Sequence, residues 1–124
     1  MILFFLSLVG VSGVALGAVG KHMLQAQLTE AQFNTFSTAV HYHQLYSVLL
    51  LLIFYIHALK PSLVPKSVLT IFLIGITLFS GSLYAHIFTQ WHFWVYVTPI
   101  GGFTLMGAWI WAAISARVLK KFTN

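Results

Sequence analysis

Four stretches of roughly twenty apolar residues follow one another along this chain, and that length is what a helix needs to cross the hydrocarbon of a bilayer. They cover about residues 2–24, 38–59, 66–89 and 98–119. Charge points the same way. Of the 124 residues, 60% are hydrophobic and 6% charged, and the only acid is Glu30. A soluble domain needs a charged surface of mixed sign, which this composition cannot supply. Open sheets cannot span lipid, and the four stretches lack the period-two alternation of a barrel strand. The expected fold class is all-α integral membrane, a four-transmembrane-helix bundle forming a single domain over residues 1–124. The first stretch carries no Lys or Arg before Lys21 and exceeds the apolar part of a signal peptide, so it is read as a retained span.

Pro61 and Pro65 punctuate the turn between the second and third spans. Thr98 has the character of an N-cap and Pro99 suits the first position of a helix, so Thr98, Pro99, Gly101 and Gly102 are expected to form the turn into span four. Between spans one and two, Thr29 and Gln32 have capping-box spacing, followed by Phe33, Phe36 and Val40 at helical intervals. This predicts a short interfacial helix between spans one and two.

Four spans put both termini and the second loop on one side. Lys60, Lys66, Arg117, Lys120 and Lys121 fall there, against Lys21 alone on the other. By the positive-inside rule both termini are cytoplasmic. The net charge of +5 is scattered or terminal rather than arrayed on one helix face, which argues against nucleic acid. The absence of cysteine excludes disulfides and thiolate metal sites.

Polar residues collect on the outer side. His22 closes span one, His41 and His43 open span two, Ser82, Tyr84 and His86 lie late in span three, and His92 sits in the third loop. Only His57 is at the other end. Helix ends alone would distribute such residues evenly, so the asymmetry points to an outer polar cluster of His22, Tyr42, His43, Tyr46, Ser82, Tyr84 and His86. His41 and His43, two apart, face different ways and cannot ligate one ion from a regular helix. No two histidines have i, i+4 spacing and no carboxylate lies nearby, so no metal site is expected. Ser82 with His86 or His22 is a weak dyad, because a serine in a membrane helix more often bonds its own i−4 carbonyl. No charge lies mid-membrane, where a transporter would place one. His22 and Tyr42 are expected to couple, with His41 turned to water.

Gly10, Gly13, Gly17 and Gly20 form a smooth stripe on span one, which predicts that this helix is the most closely packed. Gly75, among large residues, carries no such expectation.

The blocks "ALGAVGKH" (15–22), "FSTAVHYHQLY" (36–46), "LFSGSLY" (78–84) and "TPIGG" (98–102), with Trp109 beyond, resemble the small four-helix inner-membrane family catalogued as domain of unknown function 423, the transmembrane protein 256-like proteins. The resemblance covers nearly the whole chain. His22, Tyr42, the Ser80-Gly81-Ser82-Leu83-Tyr84 run and Pro99-Gly101-Gly102 match its pattern. Tyr46 stands where the family usually has histidine and Lys21 where it has a small residue, and His41, His86 and His92 are outside the pattern. The resemblance implies a bacterial inner (plasma) membrane protein without an established activity. The reading reached is a non-enzymatic accessory or structural protein with no cofactor. Its partners are the lipid bilayer and either another membrane protein or a second copy of the chain. A histidine-based metal or haem binder is the alternative.

Overall fold

The computed structural model describes the backbone of residues 1–123 and the side chains through Ser115. The chain forms four long helices: α1 (Ile2–Val19), α2 (Glu30–Leu59), α3 (Lys66–Thr89) and α4 (Trp94–Thr123). Each is long and apolar enough to cross a membrane, and there is no strand among the described residues. Phe4, Val11, Val14, Phe103 and Ile110 point outward, as the lipid-facing wall of a bundle must. Of the cationic side chains used above to orient the bundle, those of Arg117, Lys120 and Lys121 lie outside the described residues.

α1 does not stop at Val19. It continues through a π-helical turn, Gly20–Leu24, closed by Gln25 N–H donating to the Gly20 carbonyl at 2.9 Å. After a short loop the capping box forms. The Gln32 N–H donates to the Thr29 hydroxyl at 3.2 Å, and the Thr29 N–H to the Gln32 side chain at 3.0 Å. The helix it starts is α2 itself. The expected interfacial helix is the opening turns of this 30-residue element rather than a separate one. At 1.5 Å per residue α2 is about 45 Å long, so it extends past an apolar core of about 30 Å.

α2 ends at Lys60, and Pro65 enters α3 in an extended conformation. His57 ties this turn together by donating from Nδ1 to the Val64 carbonyl at 2.7 Å. α3 closes on Gln90, whose left-handed backbone (φ 56°) is the only positive φ among the described residues.

α4 begins at Trp94, so the expected start at Thr98 is wrong. Three short-range bonds, Trp94 N–H to Trp91 O, Val95 N–H to His92 O and Tyr96 N–H to Phe93 O, wind the chain into helix directly out of the aromatic loop. Thr98, Pro99, Gly101 and Gly102 therefore lie inside α4. Pro99 has no N–H to return to the Val95 carbonyl. The segment is where α4 meets α3. A Cβ on Gly101 would press into the Phe79 backbone, 2.7 Å from its Cα, and one on Gly75 would stand 2.7 Å from Leu105 Cδ2. The two helices touch backbone to backbone there.

Span one is not the most closely packed helix. α1 lies against α2 alone by backbone proximity, whereas α3 packs on both α2 and α4. A Cβ on Gly10 would meet nothing within 4 Å. At Gly13 and Gly17 the neighbours are side chains of α2, Gln44, His43 and Val40, at 3.0–3.6 Å, and at Gly20 the neighbour is the Phe36 ring. The core is apolar, with Leu6, Leu50, Phe72 and Ala108 almost wholly buried.

Candidate functional site

The polar side chains between the helices do not gather in one pocket; apart from a Trp111 to Ser67 bond between α4 and α3 at 2.8 Å, three places stand out.

The first is centred on His43, one turn before the buried Ser47, whose hydroxyl donates back to the His43 carbonyl at 2.6 Å. His43 Nε2 lies 2.9 Å from the Val9 carbonyl of α1. A carbonyl only accepts, so Nε2 carries the hydrogen. In the neutral ring Nδ1 is then a bare acceptor, and the Tyr84 hydroxyl of α3, 3.2 Å away, donates to it. The Ser12 hydroxyl donates to the same Val9 carbonyl at 2.8 Å. One neutral imidazole thus joins three helices with both nitrogens committed. It borders a lipid-side cavity of about 240 Å³ between α1 and α3, lined by Val9, Leu16, Ile76 and Thr77 among others.

Beside it, Gln44 lays its side chain across Gly13 and Gly17 and donates to the Gly13 carbonyl at 3.1 Å. Val40 and Gln44 are one turn apart, as are Gly13 and Gly17, so two matched stripes face each other. One turn before Tyr84, the buried Ser80 donates to the Ala39 carbonyl of α2 at 2.9 Å.

The second place is aromatic. Tyr46 is buried, and its hydroxyl accepts from Trp109 Nε1 at 3.1 Å, joining α2 to α4. Tyr42 stacks on Tyr46 with ring planes 12° apart and leans on Phe79 at 4.8 Å between centroids. Phe72 packs edge-on against Trp109.

The third lies between α3 and α4. Ser82 Oγ and Thr98 Oγ1 are 2.7 Å apart, and each also faces a carbonyl of its own helix, Phe79 at 2.9 Å and Trp94 at 3.1 Å. Two hydroxyl hydrogens serve three contacts, so one hydroxyl donates across the interface while the other donates to its own carbonyl. Nearby, His86 Nδ1 is 3.4 Å from the Trp91 carbonyl, and Trp94 Nε1 donates to Thr89 at 3.0 Å.

The expected cluster is thereby divided. His43 and Tyr84 meet. Tyr46 and Tyr42 belong to the aromatic group, and Ser82 and His86 to the α3–α4 end. His22 is exposed on the π turn and is apart from all three. Its coupling to Tyr42 does not form, because the Tyr42 ring turns toward Phe79 and Tyr46, away from α1. The inward-facing histidine at the head of α2 is His43. Gln44, Ser80 and Ser12 were missed, although Gln44 sits in register with the glycine stripe and was open to discovery on that ground. Among the described residues no three His, Cys, Asp or Glu side chains converge on one point. No buried side-chain nitrogen or oxygen among them lacks a hydrogen-bond partner.

Residues 16–102, from the end of α1 into α4, are matched by the family model described as protein of unknown function (DUF423). The chain belongs to this family. The chain is also similar to a UPF0382 membrane protein of Haemophilus influenzae, 37% identical over 109 residues, which cover 86% of this chain and 87% of the relative. The UPF0382 inner membrane protein YgdD of Escherichia coli K12 is 28% identical over 119 residues, 96% of this chain and 91% of its own length. YwdK of Bacillus subtilis, a UPF0382 membrane protein, is 34% identical over 105 residues, 83% and 85% of the two chains. No solved structure matches. The segment matched by the DUF423 model takes in His43, Tyr84, Gly75 and Gly101, while Val9, Ser12 and Trp109 lie outside it.

Proposed function

We propose that this DUF423 protein is a non-enzymatic accessory protein of the bacterial inner membrane, whose interhelical polar contacts fix the bundle. The observation that carries this reading is the saturation of His43. With Nε2–H given to Val9 and Nδ1 accepting from Tyr84, the imidazole has neither a lone pair for a metal nor a free base for proton transfer. Tyr46 and Ser82 are likewise engaged across helices, Tyr46 accepting from Trp109 and Ser82 paired with Thr98. Metal analysis and an absorption spectrum of protein purified without a histidine tag test it. The expected result is no stoichiometric copper or zinc and no Soret band; either one would overturn the reading in favour of a histidine-based metal or haem binder.

In this proposal both termini are cytoplasmic, supported by Lys60 and Lys66 at the α2–α3 turn and by the basic residues of the C-terminal sequence. A reporter fused after Asn124 should then report the cytoplasm and one inserted near residue 90 the opposite side, and the reverse pattern would invert the topology. The partners of such a protein are lipid and either another membrane protein or a second copy, which co-purification from native membrane in mild detergent would reveal.

A further inference from the structure

A groove of about 390 Å³ runs between the end of α1 and the opening turns of α2. Its floor is apolar, made of Gly17, Gly20, Phe36 and Val40. Its rim is not. Lys21, Gln25, Ser37 and His41 all border it, supplying an ammonium, an amide, a hydroxyl and an imidazole. We propose that this groove holds the phosphate headgroup of an anionic membrane phospholipid, with Lys21 as its counter-charge.

Three observations lead there. The first is charge. The only acidic side chain in the whole sequence is Glu30, and it does not border the groove. The Lys21 ammonium therefore faces a depression that contains donors and no carboxylate, so the complementary ligand is an anion with several acceptor oxygens.

The second is the backbone. In a regular α-helix the fifth residue after Gly20 turns away from it. The π turn, with its i to i+5 bond from Gln25 N–H to Gly20 O, places Gln25 on the same face as Gly20, and so above the groove. Single π turns of this kind cost hydrogen-bond geometry and recur at functional sites.

The third is the behaviour of the hydroxyls. Thr35, Thr38 and Ser47 of α2 each donate to the carbonyl one turn back, at 2.6–3.0 Å. Among the serines and threonines of α2 only Ser37 makes no such bond, and it is the one that borders the groove.

The position in the bilayer selects the source of the anion. Lys21 lies in the last turn of the span Ile2–Leu24, which is long and apolar enough to cross a membrane, so its ammonium belongs near the level where such a helix leaves the hydrocarbon and meets lipid phosphates. Basic depressions between membrane helices at this level suit anionic headgroups. The apolar floor accepts the glycerol and first methylenes of a lipid, which a free phosphate ion lacks.

The test measures thermal unfolding of the detergent-solubilised full chain during titration with dioleoylphosphatidylglycerol, dioleoylphosphatidylcholine or inorganic phosphate. Phosphatidylglycerol should stabilise the protein saturably, and the other two should do so much less. Lys21→Gln should weaken the apparent affinity for phosphatidylglycerol about fivefold, the weight of one cation at a membrane surface. Lys21→Arg should retain it, Ser37→Ala should weaken it by a smaller factor, and Lys60→Gln, at the opposite end, should leave it unchanged. Lys21 is exposed, so its variants should fold. Equal stabilisation by phosphatidylcholine would reduce the groove to an apolar crevice, and equal stabilisation by inorganic phosphate would make it a site for free anions. Either outcome, or an unchanged titration for Lys21→Gln, would overturn the proposal.

Discussion

Glycine does opposite work at the two ends of this chain. Between α3 and α4, Gly75 and Gly101 are absent side chains whose space is taken by the facing helix, by Leu105 in one case and by the Phe79 backbone in the other. Between α1 and α2, Gly13 and Gly17 are absent side chains whose space is taken by Gln44 and Val40. The first arrangement brings two backbones together and gains dispersion contact. The second lets an amide reach a helix carbonyl, and it leaves an open groove beside it. In lipid, where apolar burial does not distinguish protein from solvent, both are ways to join helices. They differ in tolerance. A backbone cannot move aside, but a glutamine can swing away.

That difference orders the consequences of substitution, read by thermal unfolding in detergent. Gly101→Ala should cost most, about 3 kcal/mol, because its new methyl forces α4 away from the Phe79 backbone. A loss no larger than that of Gly17→Ala would erase the distinction. Gly75→Ala should follow at about 2 kcal/mol, since Leu105 Cδ2 can yield but the Leu105 backbone nitrogen, 3.1 Å from the new carbon, cannot.

The polar side of the comparison is sharpened at His43. His43→Phe leaves the part-buried Tyr84 hydroxyl without its acceptor and should cost about 1–2 kcal/mol. Tyr84→Phe should cost less, and the double variant less than the sum, as for two members of one network. Strict additivity would mean that the 3.2 Å contact carries no energy. Gln44→Ala should cost about 1 kcal/mol, one interhelical hydrogen bond. The smallest effect belongs to Gly10→Ala. With nothing near the new methyl, the greater helix propensity of alanine should leave stability unchanged or raise it by up to about 1 kcal/mol. Clear destabilisation there would show that the open face of α1 is covered by another helix.

The fold was legible because lipid allows few answers. Four apolar runs of membrane length, parted by Pro61, Pro65 and the aromatic loop, allow little but four helices. The Thr29–Gln32 box was readable because its partners are local. The phase of α2 was harder. This helix is almost equally apolar on all sides, so no moment says which face turns inward, and Tyr42 and His43 were equal candidates until Val9 and Tyr84 chose between them. The glycine stripe was visible as a pattern, but a stripe of small residues does not say what fills it. "TPIGG" misled for a related reason. Thr-Pro is locally a good helix start, and only the approach of Phe79, a tertiary fact, shows that Gly101 sits inside a helix already under way. Gln90 shows the reverse. Its left-handed backbone closes α3 with a side-chain bond to the Ile87 carbonyl at 2.8 Å, where a glycine would have announced the turn in the sequence.

Among the described residues α1 touches α2, α2 touches α3 and α3 touches α4 by backbone proximity, and the ends of this series do not meet. In time, such an order matches the direction of synthesis. Each helix entering the membrane finds the neighbour it lies against already there, although the Tyr46 hydroxyl on α2 waits for Trp109 on α4. The last pair is also the one with the closest backbones, so assembly finishes on its most demanding fit. A ribosome stalled before Gly101 leaves α3 with Gly75 and the Phe79 backbone facing lipid, a notch without its counterpart.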